Sequence, residues 1–239
     1  MKSDDSFEAT YAVKMHCNGC TNDIKSCLQE IHGIEGMQFD LGQQIMSVNG
    51  NVAPSSIISA LRRCGRDAII RGTGKPNSSA VSILESHEGK DPLTVRGLVR
   101  MVQVAEKRTL FDVTINGVEK PGNYYASVRE QGDVSKGATS TGSAWHQFED
   151  PIECNQKGER GLFSGQGLLK APVNVWEMIG RGFVITGEPS HEPKSTDMCG
   201  VIARSAGTWE NAKQVCACSG KTVWQEREDA LHKNIERSM

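Results

Sequence analysis

The chain has 239 residues, which is long enough for one large domain or two ordinary domains, each with its own apolar core. Its 27 Lys and Arg residues against 29 Asp and Glu residues give a net charge of -2, so no basic excess points to nucleic acid or to an anionic membrane. The first residues are acidic and lack the apolar segment of a signal peptide, and no apolar run is long enough to span a membrane. We therefore expect a soluble protein of a reducing compartment, in which its eight cysteines are packing residues, metal ligands or working thiols rather than disulfides.

Residues 1–71 have the pattern of a small α/β domain. The stretch FEATYAVK, from Phe7, alternates apolar and polar side chains, which predicts a half-buried strand. Two helical segments follow, one around Cys27 and one around Leu61, and a hairpin between them turns near Gly42. The stretch DAIIRG supplies a last strand. The order β-α-β-β-α-β predicts a ferredoxin-like fold.

Residues 72–79, GTGKPNSS, contain no apolar side chain and predict a linker. Over residues 80–207, short alternating runs rich in Val, Ile and Leu are separated by glycine-containing turns. This pattern predicts an all-β sandwich or barrel. Within it, the stretch 149–175 is poorly patterned, and we expect a long loop system there.

The last segment, 208–239, is expected to be a tail, because about thirty residues cannot bury a core alone. Thr222 and Gln225 have the spacing of a helix capping box, which predicts a short helix after them. Before this helix, Cys216 and Cys218 are two positions apart, so in an extended chain both sulfurs point to the same side. Such a pair can chelate a thiophilic ion, or pass a disulfide to another dithiol because so short a ring is strained and oxidising.

A Cys-x-x-Cys sequence, Cys17 and Cys20 in MHCNGC, lies where the first predicted strand gives way to the first helix. There the helix dipole and the free backbone amides favour the thiolate form of cysteine. A structural zinc site would need further ligands, but Cys27 and Cys64 lie on apolar helix faces and are expected to be small buried core residues. A soft two-coordinate ion such as Cu(I) therefore fits two exposed sulfurs better than zinc does. A redox dithiol and plain surface cysteines stay open as alternatives.

The sequence Met15-x-Cys17-x-x-Cys20 within a unit of this order resembles the heavy-metal-associated domains of copper chaperones and copper ATPases. The resemblance implies that Cys17 and Cys20 bind copper as Cu(I). It also implies that Met15 supports the loop from below as an apolar residue and is not a ligand.

Residues 80–207 resemble copper-zinc superoxide dismutase, a Greek-key β-sandwich, through the stretches PGNYYASVREQGDVSKGATSTG, GRGFVIT and CGVIARSAG. The resemblance implies that metal-binding histidines have been replaced, because Ser127, Arg129 and Thr186 stand at their positions. A guanidinium repels a copper ion and has no lone pair to donate. We therefore expect neither copper nor zinc in this domain, and no dismutase activity. His146 is the one candidate ligand left near the expected metal-binding region, and we expect an ordinary polar or loop histidine.

The same resemblance assigns inert roles to several other residues of this domain. Gly132 and Asp133 match positions of the enzyme and are expected to be structural. Cys199 matches one half of the enzyme's intrasubunit disulfide, whereas the position of the other half, near Ala138, has no thiol. Cys199 is therefore expected to be reduced and buried, and Cys154 is interpreted in the same way.

Together, the three parts resemble the fungal copper chaperones for superoxide dismutase over essentially the whole chain. The resemblance implies a metallochaperone, not an enzyme, that delivers Cu(I) to copper-zinc superoxide dismutase and promotes the client's intrasubunit disulfide within a heterodimer. The N-terminal thiol pair would acquire the metal, and Cys216 and Cys218 would carry out the transfer at the client. The dismutase-like domain would imitate a dimer mate through a docking face that includes Gly200, Val201 and Ile202, and it could also form a homodimer.

Two other functions stay open from the residues alone. One is an active superoxide dismutase fused to its own copper-binding module, and the other is a thiol protein that buffers metal. No nucleic-acid partner is expected. The expected location is the cytoplasm, and a fraction in the mitochondrial intermembrane space is compatible with the resemblance.

Overall fold

The computed structural model of the chain describes residues 5–87, 94–158, 161–211, 215 and 219–232. These residues form an N-terminal α/β unit, a β-rich unit and a C-terminal helix. No helix in these ranges is both long and apolar enough to cross a membrane.

The elements of the N-terminal unit are β1 (Phe7–Val13), α1 (Asn18–Leu28), β2 (Ile34–Asp40), β3 (Ile45–Gly50), α2 (Pro54–Arg63) and β4 (Ala68–Thr73). The strands form a four-stranded antiparallel sheet with the order β2-β3-β1-β4. The predicted ferredoxin-like order is confirmed. Side chains of both helices pack on the sheet, and Tyr11, Ile24 and Leu61 are fully buried between the layers.

Cys27 and Cys64 are not the buried core residues that the helical periodicity predicted. Cys27 is half-buried and Cys64 is exposed, and the two form a disulfide with a Cα–Cα distance of 6.2 Å. The prediction was wrong because periodicity identifies the apolar face of each helix but not the line along which two helices meet. Where α1 packs beside α2, the two cysteines lie opposite each other at the edge of the core.

The elements of the β-rich unit are β5 (Ser79–Ser86), β6 (Thr94–Ala105), β7 (Arg108–Val118), β8 (Gly122–Arg129), β9 (Ser135–Ala138), β10 (Ala144–Gln147), β11 (Ile152–Cys154), β12 (Gln156–Lys157), β13 (Phe163–Ala171), α3 (Val175–Met178), β14 (Gly182–Thr186), β15 (Met198–Val201) and β16 (Ala203–Arg204). The strands form one continuous antiparallel sheet in the order β10-β8-β14-β15-β5-β6-β7-β13-β12, with β11 on β8 and β16 on β5. The sheet folds over one apolar core that contains the rings of Phe111, Phe148 and Phe183. The predicted all-β architecture is confirmed.

The stretch 149–175 is not the long loop system that its poor patterning predicted. It contains β13, which pairs with β7 along its whole length, and the short strands β11 and β12. Gly165 and Gly167 interrupt the apolar alternation of β13, because β11 crosses directly above them: a Cβ at Gly165 would collide with the carbonyl oxygen of Glu153. The two glycines that break the alternating pattern of β13 are therefore required for the close packing of β11 on it.

The two units are in direct contact on either side of the connection between β4 and β5. Val102 of β6 and Leu110 of β7 belong to the apolar core of the N-terminal unit. Asp112 of β7 accepts hydrogen bonds from the backbone NH of Ser55, at 2.8 Å, and from the Ser55 hydroxyl. In the connection, the NH of Gly74 donates to the carbonyl oxygen of Glu8 at 2.7 Å.

The C-terminal helix, α4 (Val223–His232), lies against the N-terminal unit. The predicted capping box is confirmed, since the Thr222 NH donates to Gln225 Oε1 at 2.8 Å and the Gln225 NH donates to Thr222 Oγ1 at 3.2 Å. Arg227 donates to both carboxylate oxygens of Asp67, at 2.8 and 3.0 Å. The helix is thus fastened to the start of β4.

Candidate metal centre

The pair Cys17 and Cys20 stands at the beginning of α1, with Cys17 exposed and Cys20 half-buried. Cys17 is the N-cap residue, with extended backbone, and Cys20 lies in the first turn, where its NH donates to the carbonyl oxygen of Cys17 at 3.1 Å. The two Sγ atoms are 3.9 Å apart. Met15 is fully buried below the loop, as its apolar supporting role requires. The strand-to-helix turn therefore aims both sulfurs outwards.

The surroundings of Cys20 favour its thiolate. Hydrogen bonds from the backbone of His16 and Cys17 lower the pKa of Cys20, and the Cys17 side chain and the positive charge of Arg66 add to this effect. Arg66 lies in the turn between α2 and β4 and is held by Asp23, with Nη2 2.7 Å from Oδ2. Arg66 could not be placed beside the loop from the sequence, because the packing of the two helices brings it there.

Two sulfurs and no further ligand suit a soft ion of low coordination number. A separation of 3.9 Å lets one ion bind both sulfurs, since metal–sulfur bonds of about 2.3 Å are longer than half of that distance. Among the described residues, no group of three or more His, Cys, Asp or Glu side chains could hold a metal ion. Structural zinc sites are usually closed by four ligands. The pair fits Cu(I) better, because thiolates select this soft ion.

The second predicted thiol pair, Cys216 and Cys218, lies outside the described residues. Residues on both sides of it are described and contact the N-terminal unit. Arg71 of β4 donates through Nε and Nη2 to the carbonyl oxygen of Asn211, at 3.2 and 2.7 Å. On the other side, the ammonium of Lys14 lies 4.9 Å from the ring centroid of Trp224 in α4.

Ser127, Arg129 and Thr186, which stand where the dismutase resemblance implies metal-binding histidines, are all buried. Ser127 and Thr186 are fully buried, and Arg129 is 4% exposed. Arg129 donates through Nε and Nη2 to the carbonyl oxygen of Gly142, at 3.1 and 2.5 Å, and through Nη1 to that of His191, at 3.3 Å. A cation with no lone pair thus joins two loops at this place.

His191 was not singled out by sequence reasoning, because nothing in the stretch PSHEP signals a buried ring. It is 8% exposed and packs edge-on against Tyr125, with ring centroids 5.6 Å apart. Burial lowers its pKa, and the charge of Arg129 adds to this effect. His146 of β10 is half-buried against Phe148, and burial lowers its pKa as well. Neither ring belongs to a cluster of possible metal ligands in the described part of the chain.

The inert roles expected for the other residues of this unit are confirmed. Cys154 and Cys199 are free and fully buried, and burial raises the pKa of each thiol to about 12. Gly132 lies so close to the carbonyl oxygen of Gly180 that a Cβ there would collide with it. Asp133 accepts a hydrogen bond from the NH of Ser135 at 2.9 Å, which shapes the following turn.

The three residues proposed for the docking face differ in exposure. Val201 is 40% exposed, whereas Ile202 is 1% exposed and belongs to the core. Gly200 is buried, and a Cβ there would collide with the carbonyl oxygen of Ile83. Of the three, only Val201 presents an exposed side chain, and the docking face itself stays a prediction. Ile83, which is 52% exposed, is the apolar surface neighbour that the sequence analysis missed.

Residues 10–67, which contain Cys17 and Cys20, match the family described as "Heavy-metal-associated domain". The chain is 57% identical over 249 residues to the "Superoxide dismutase 1 copper chaperone" of Saccharomyces cerevisiae, covering 99% of this chain and 100% of that protein. It belongs to the superoxide dismutase copper chaperones. Another chaperone of this family, from Candida glabrata, is 58% identical and covers 97% of this chain and 98% of its own length. The "Copper chaperone for superoxide dismutase" of Homo sapiens is 29% identical, with coverages of 95% and 93%. The likeness to these chaperones therefore includes the β-rich unit and the tail.

Proposed function

We propose that this protein carries Cu(I) on Cys17 and Cys20 and delivers it to a copper-zinc superoxide dismutase. The observation that carries the proposal is the pair of sulfurs at the start of α1, 3.9 Å apart and without a third ligand in the described residues. A two-coordinate ion on a protruding turn stays open to attack by a third thiolate. Transfer to another protein can then proceed by ligand exchange, without release of a free ion.

The β-rich unit is proposed to recognise the client as a false subunit in a heterodimer, and to pair with a second copy when no client is present. Arg129, where the dismutase resemblance implies a metal-binding histidine, is buried and donates hydrogen bonds to two backbone carbonyls, so this unit is proposed to recognise the client rather than to bind a catalytic metal. The exposed side chains of Ile83 and Val201 offer an apolar surface that a subunit of similar shape can cover. Val201→Glu should abolish the complex with the client, whereas Leu168→Glu, an exposed apolar position on β13, should leave it intact.

Cys216 and Cys218 are proposed to act at the client. As thiolates they can take Cu(I) from the N-terminal pair, and as a disulfide they can oxidise a client dithiol. In that exchange a client thiolate attacks one tail sulfur, the tail disulfide breaks, and a second client thiolate resolves the mixed disulfide. The client pair is oxidised and the tail pair is reduced by the same two electrons. The hydrogen bonds from Arg71 to the carbonyl oxygen of Asn211 fix the segment that precedes this pair to the N-terminal unit.

The test is activation of reduced, copper-free client by the Cu(I)-loaded protein in the presence of a strong Cu(I) chelator. Cys17→Ser with Cys20→Ser should lose activation under these conditions, and Asn18→Ser, which changes the loop but keeps both sulfurs, should not. Equal activation by the double serine variant would refute the role of the N-terminal pair.

The same assay applied to Cys216→Ser with Cys218→Ser separates delivery from simple metal buffering. We expect this variant to bind copper at the N-terminal pair but to fail in forming the client's disulfide. A client that still gains both copper and its disulfide would contradict the role of the tail.

The protein is proposed to act in the cytoplasm, with a fraction in the mitochondrial intermembrane space. The disulfide between Cys27 and Cys64 supports the second location, since such bonds persist in oxidising compartments and are rare in the cytosol. Alkylation of fractionated cells should find these two cysteines oxidised in the intermembrane-space pool. Reduced thiols in that pool would contradict this location.

A further inference from the structure

One face of the paired strands β6 and β7 forms the contact between the two units. In their antiparallel register, Val102 lies opposite Leu110 and Arg100 lies opposite Asp112. Alternate residues of a strand point to the same side, so these two pairs share one face, and the residues between them belong to the core of the β-rich unit. The N-terminal unit therefore packs on one apolar pair and one charged pair that are neighbours.

The apolar pair supplies attraction without direction. Val102 and Leu110 are buried in the core of the N-terminal unit. Hydrophobic burial depends on the area removed from water and not on angles, so this pair alone would tolerate a rotation of one unit against the other. Hydrogen bonds, in contrast, weaken steeply when the angle at the hydrogen changes.

The charged pair supplies that direction through the start of helix α2. Asp112 is 3% exposed, and its carboxylate accepts the Ser55 NH at 2.8 Å and the Ser55 hydroxyl. Its Oδ2 also lies 3.6 Å from Nη1 of Arg100. The residue at the N-cap position of α2, Ala53, makes no side-chain hydrogen bond to the helix. Asp112 therefore supplies, from the other unit, the capping carboxylate that this helix lacks.

Tyr11 of β1 lies close to the same charged pair. Burial raises the pKa of Tyr11, the negative charge of Asp112 raises it further, and the positive charge of Arg100 lowers it. The Arg100 side chain is 19% exposed, because it also lines a cavity of about 260 Å³ together with Arg62 of α2 and Arg227 of α4. The charged pair is thus enclosed between a strand and a helix of the N-terminal unit.

A second set of contacts restrains the connection between the units. Only residues 74–78 separate β4 from β5. On their N-terminal side, the Thr73 NH donates to the carbonyl oxygen of Ala206 at 3.2 Å, and the Thr208 NH donates to that of Gly74 at 2.9 Å. The connection is therefore bound to the segment that follows the last strand, and it does not act as a free hinge.

We infer that Ser55, Arg100 and Asp112 are positioning residues for copper delivery, because they hold the copper-binding unit at one angle to the β-rich unit. The inference rests on the proposed function, in which the β-rich unit binds the client and Cys17 and Cys20 carry the ion. Ligand exchange requires the donor and acceptor sulfurs to meet at bonding distance. A fixed angle between the units removes orientational freedom that would otherwise be lost at the moment of transfer.

The test compares residual dipolar couplings of the two units in the full-length protein, measured well below the unfolding midpoint. In the wild type, one alignment tensor should fit the couplings of both units, because they form one body. Asp112→Ala should require two different tensors. Asp112→Asn should be less affected, since its amide oxygen can still accept hydrogen bonds from Ser55. Ser56→Ala removes the neighbouring hydroxyl of the same helical turn, and as the matched control it should behave as the wild type does.

A second variant keeps the test decisive if Asp112→Ala does not fold, since that change removes the carboxylate that pairs with Arg100. Arg100→Met with Asp112→Leu removes both charges and keeps similar side-chain volumes, a replacement that is often neutral or stabilising. This double variant should keep its unfolding midpoint but lose the common alignment. Its rate of client activation, measured with a Cu(I) chelator present, should fall by roughly tenfold, while the Cu(I) affinity of Cys17 and Cys20 stays unchanged.

A purely structural role would lower the unfolding midpoint and leave the alignment and the activation rate of the folded variants unchanged, and that result overturns the inference. A wild-type protein whose units need two tensors overturns it as well, as does a double variant that keeps one tensor or the full activation rate. Delivery itself is tested by Cys17→Ser with Cys20→Ser, which leaves the positioning residues in place. A failure of the proposed function is thereby told apart from a failure of this inference.

Discussion

Removal of the bridge between Cys27 and Cys64 should destabilise the N-terminal unit strongly while leaving the copper loop chemically intact. Cys64 is exposed and Cys27 is half-buried, so replacement of both by serine opens little cavity. The bridge joins residues with a sequence separation of 37, and closing a loop of that length removes unfolded-state entropy worth about 4 kcal/mol at room temperature. That value is the expected loss in the free energy of unfolding.

The assay is thermal or urea unfolding of the double variant Cys27→Ser with Cys64→Ser beside the wild type. If the whole chain unfolds as one unit, the thermal unfolding midpoint should fall by about 8–16 °C. If the N-terminal unit unfolds alone, the midpoint should fall by about twice that amount, because a smaller unit has a smaller entropy of unfolding. The packing of Val102 and Leu110 in the N-terminal core favours the smaller shift. Wild-type protein treated with dithiothreitol serves as the control and should unfold with the variant.

Two results would refute this reasoning. One is an unchanged unfolding midpoint in the double variant, since a loop closed in the folded protein must restrict the unfolded chain. The other is rapid alkylation of Cys27 and Cys64 in native, unreduced protein, because a disulfide has no free thiol.

Three further predictions concern the buried guanidinium, the reactive thiol and the tail. Arg129→Met should lower the free energy of unfolding by on the order of 3 kcal/mol, since the carbonyls of Gly142 and His191 lose charged donors, and an unchanged urea midpoint would contradict this role. Iodoacetamide should label Cys20 with a pH midpoint below the ordinary cysteine value, because its pKa is lowered, whereas Cys199, with a pKa of about 12, should stay unlabelled at neutral pH. Arg66→Gln should raise the midpoint for Cys20, and a midpoint that does not move would exclude the electrostatic contribution. Asp67→Asn should weaken the ion pair that fastens α4, seen as faster hydrogen exchange in that helix, and equal exchange would show that other contacts hold it.

Features that depend on residues close together in the sequence were predicted correctly, whereas features that depend on contacts between distant segments were not. The alternation that begins at Phe7 and the Cys-x-x-Cys turn depend on neighbours a few residues apart, so the sequence predicts both. That Ser127 and Arg129 are not histidines is equally visible, because it depends on residue identity alone. By contrast, β13 was not predicted, because Gly165 and Gly167 interrupt its alternating pattern. These glycines leave room for β11, which packs against them.

The sequence by itself determined the order of elements in the N-terminal unit and the Cys-x-x-Cys turn that carries Cys17 and Cys20. Only the tertiary structure decided that Cys27 meets Cys64 and that Arg66 stands beside the thiols. It alone also shows that arginines from three distant segments line one cavity. The physical reason is that local periodicity fixes which face of an element is apolar, whereas the edges that touch are chosen when helices and sheets dock, across dozens of residues or more.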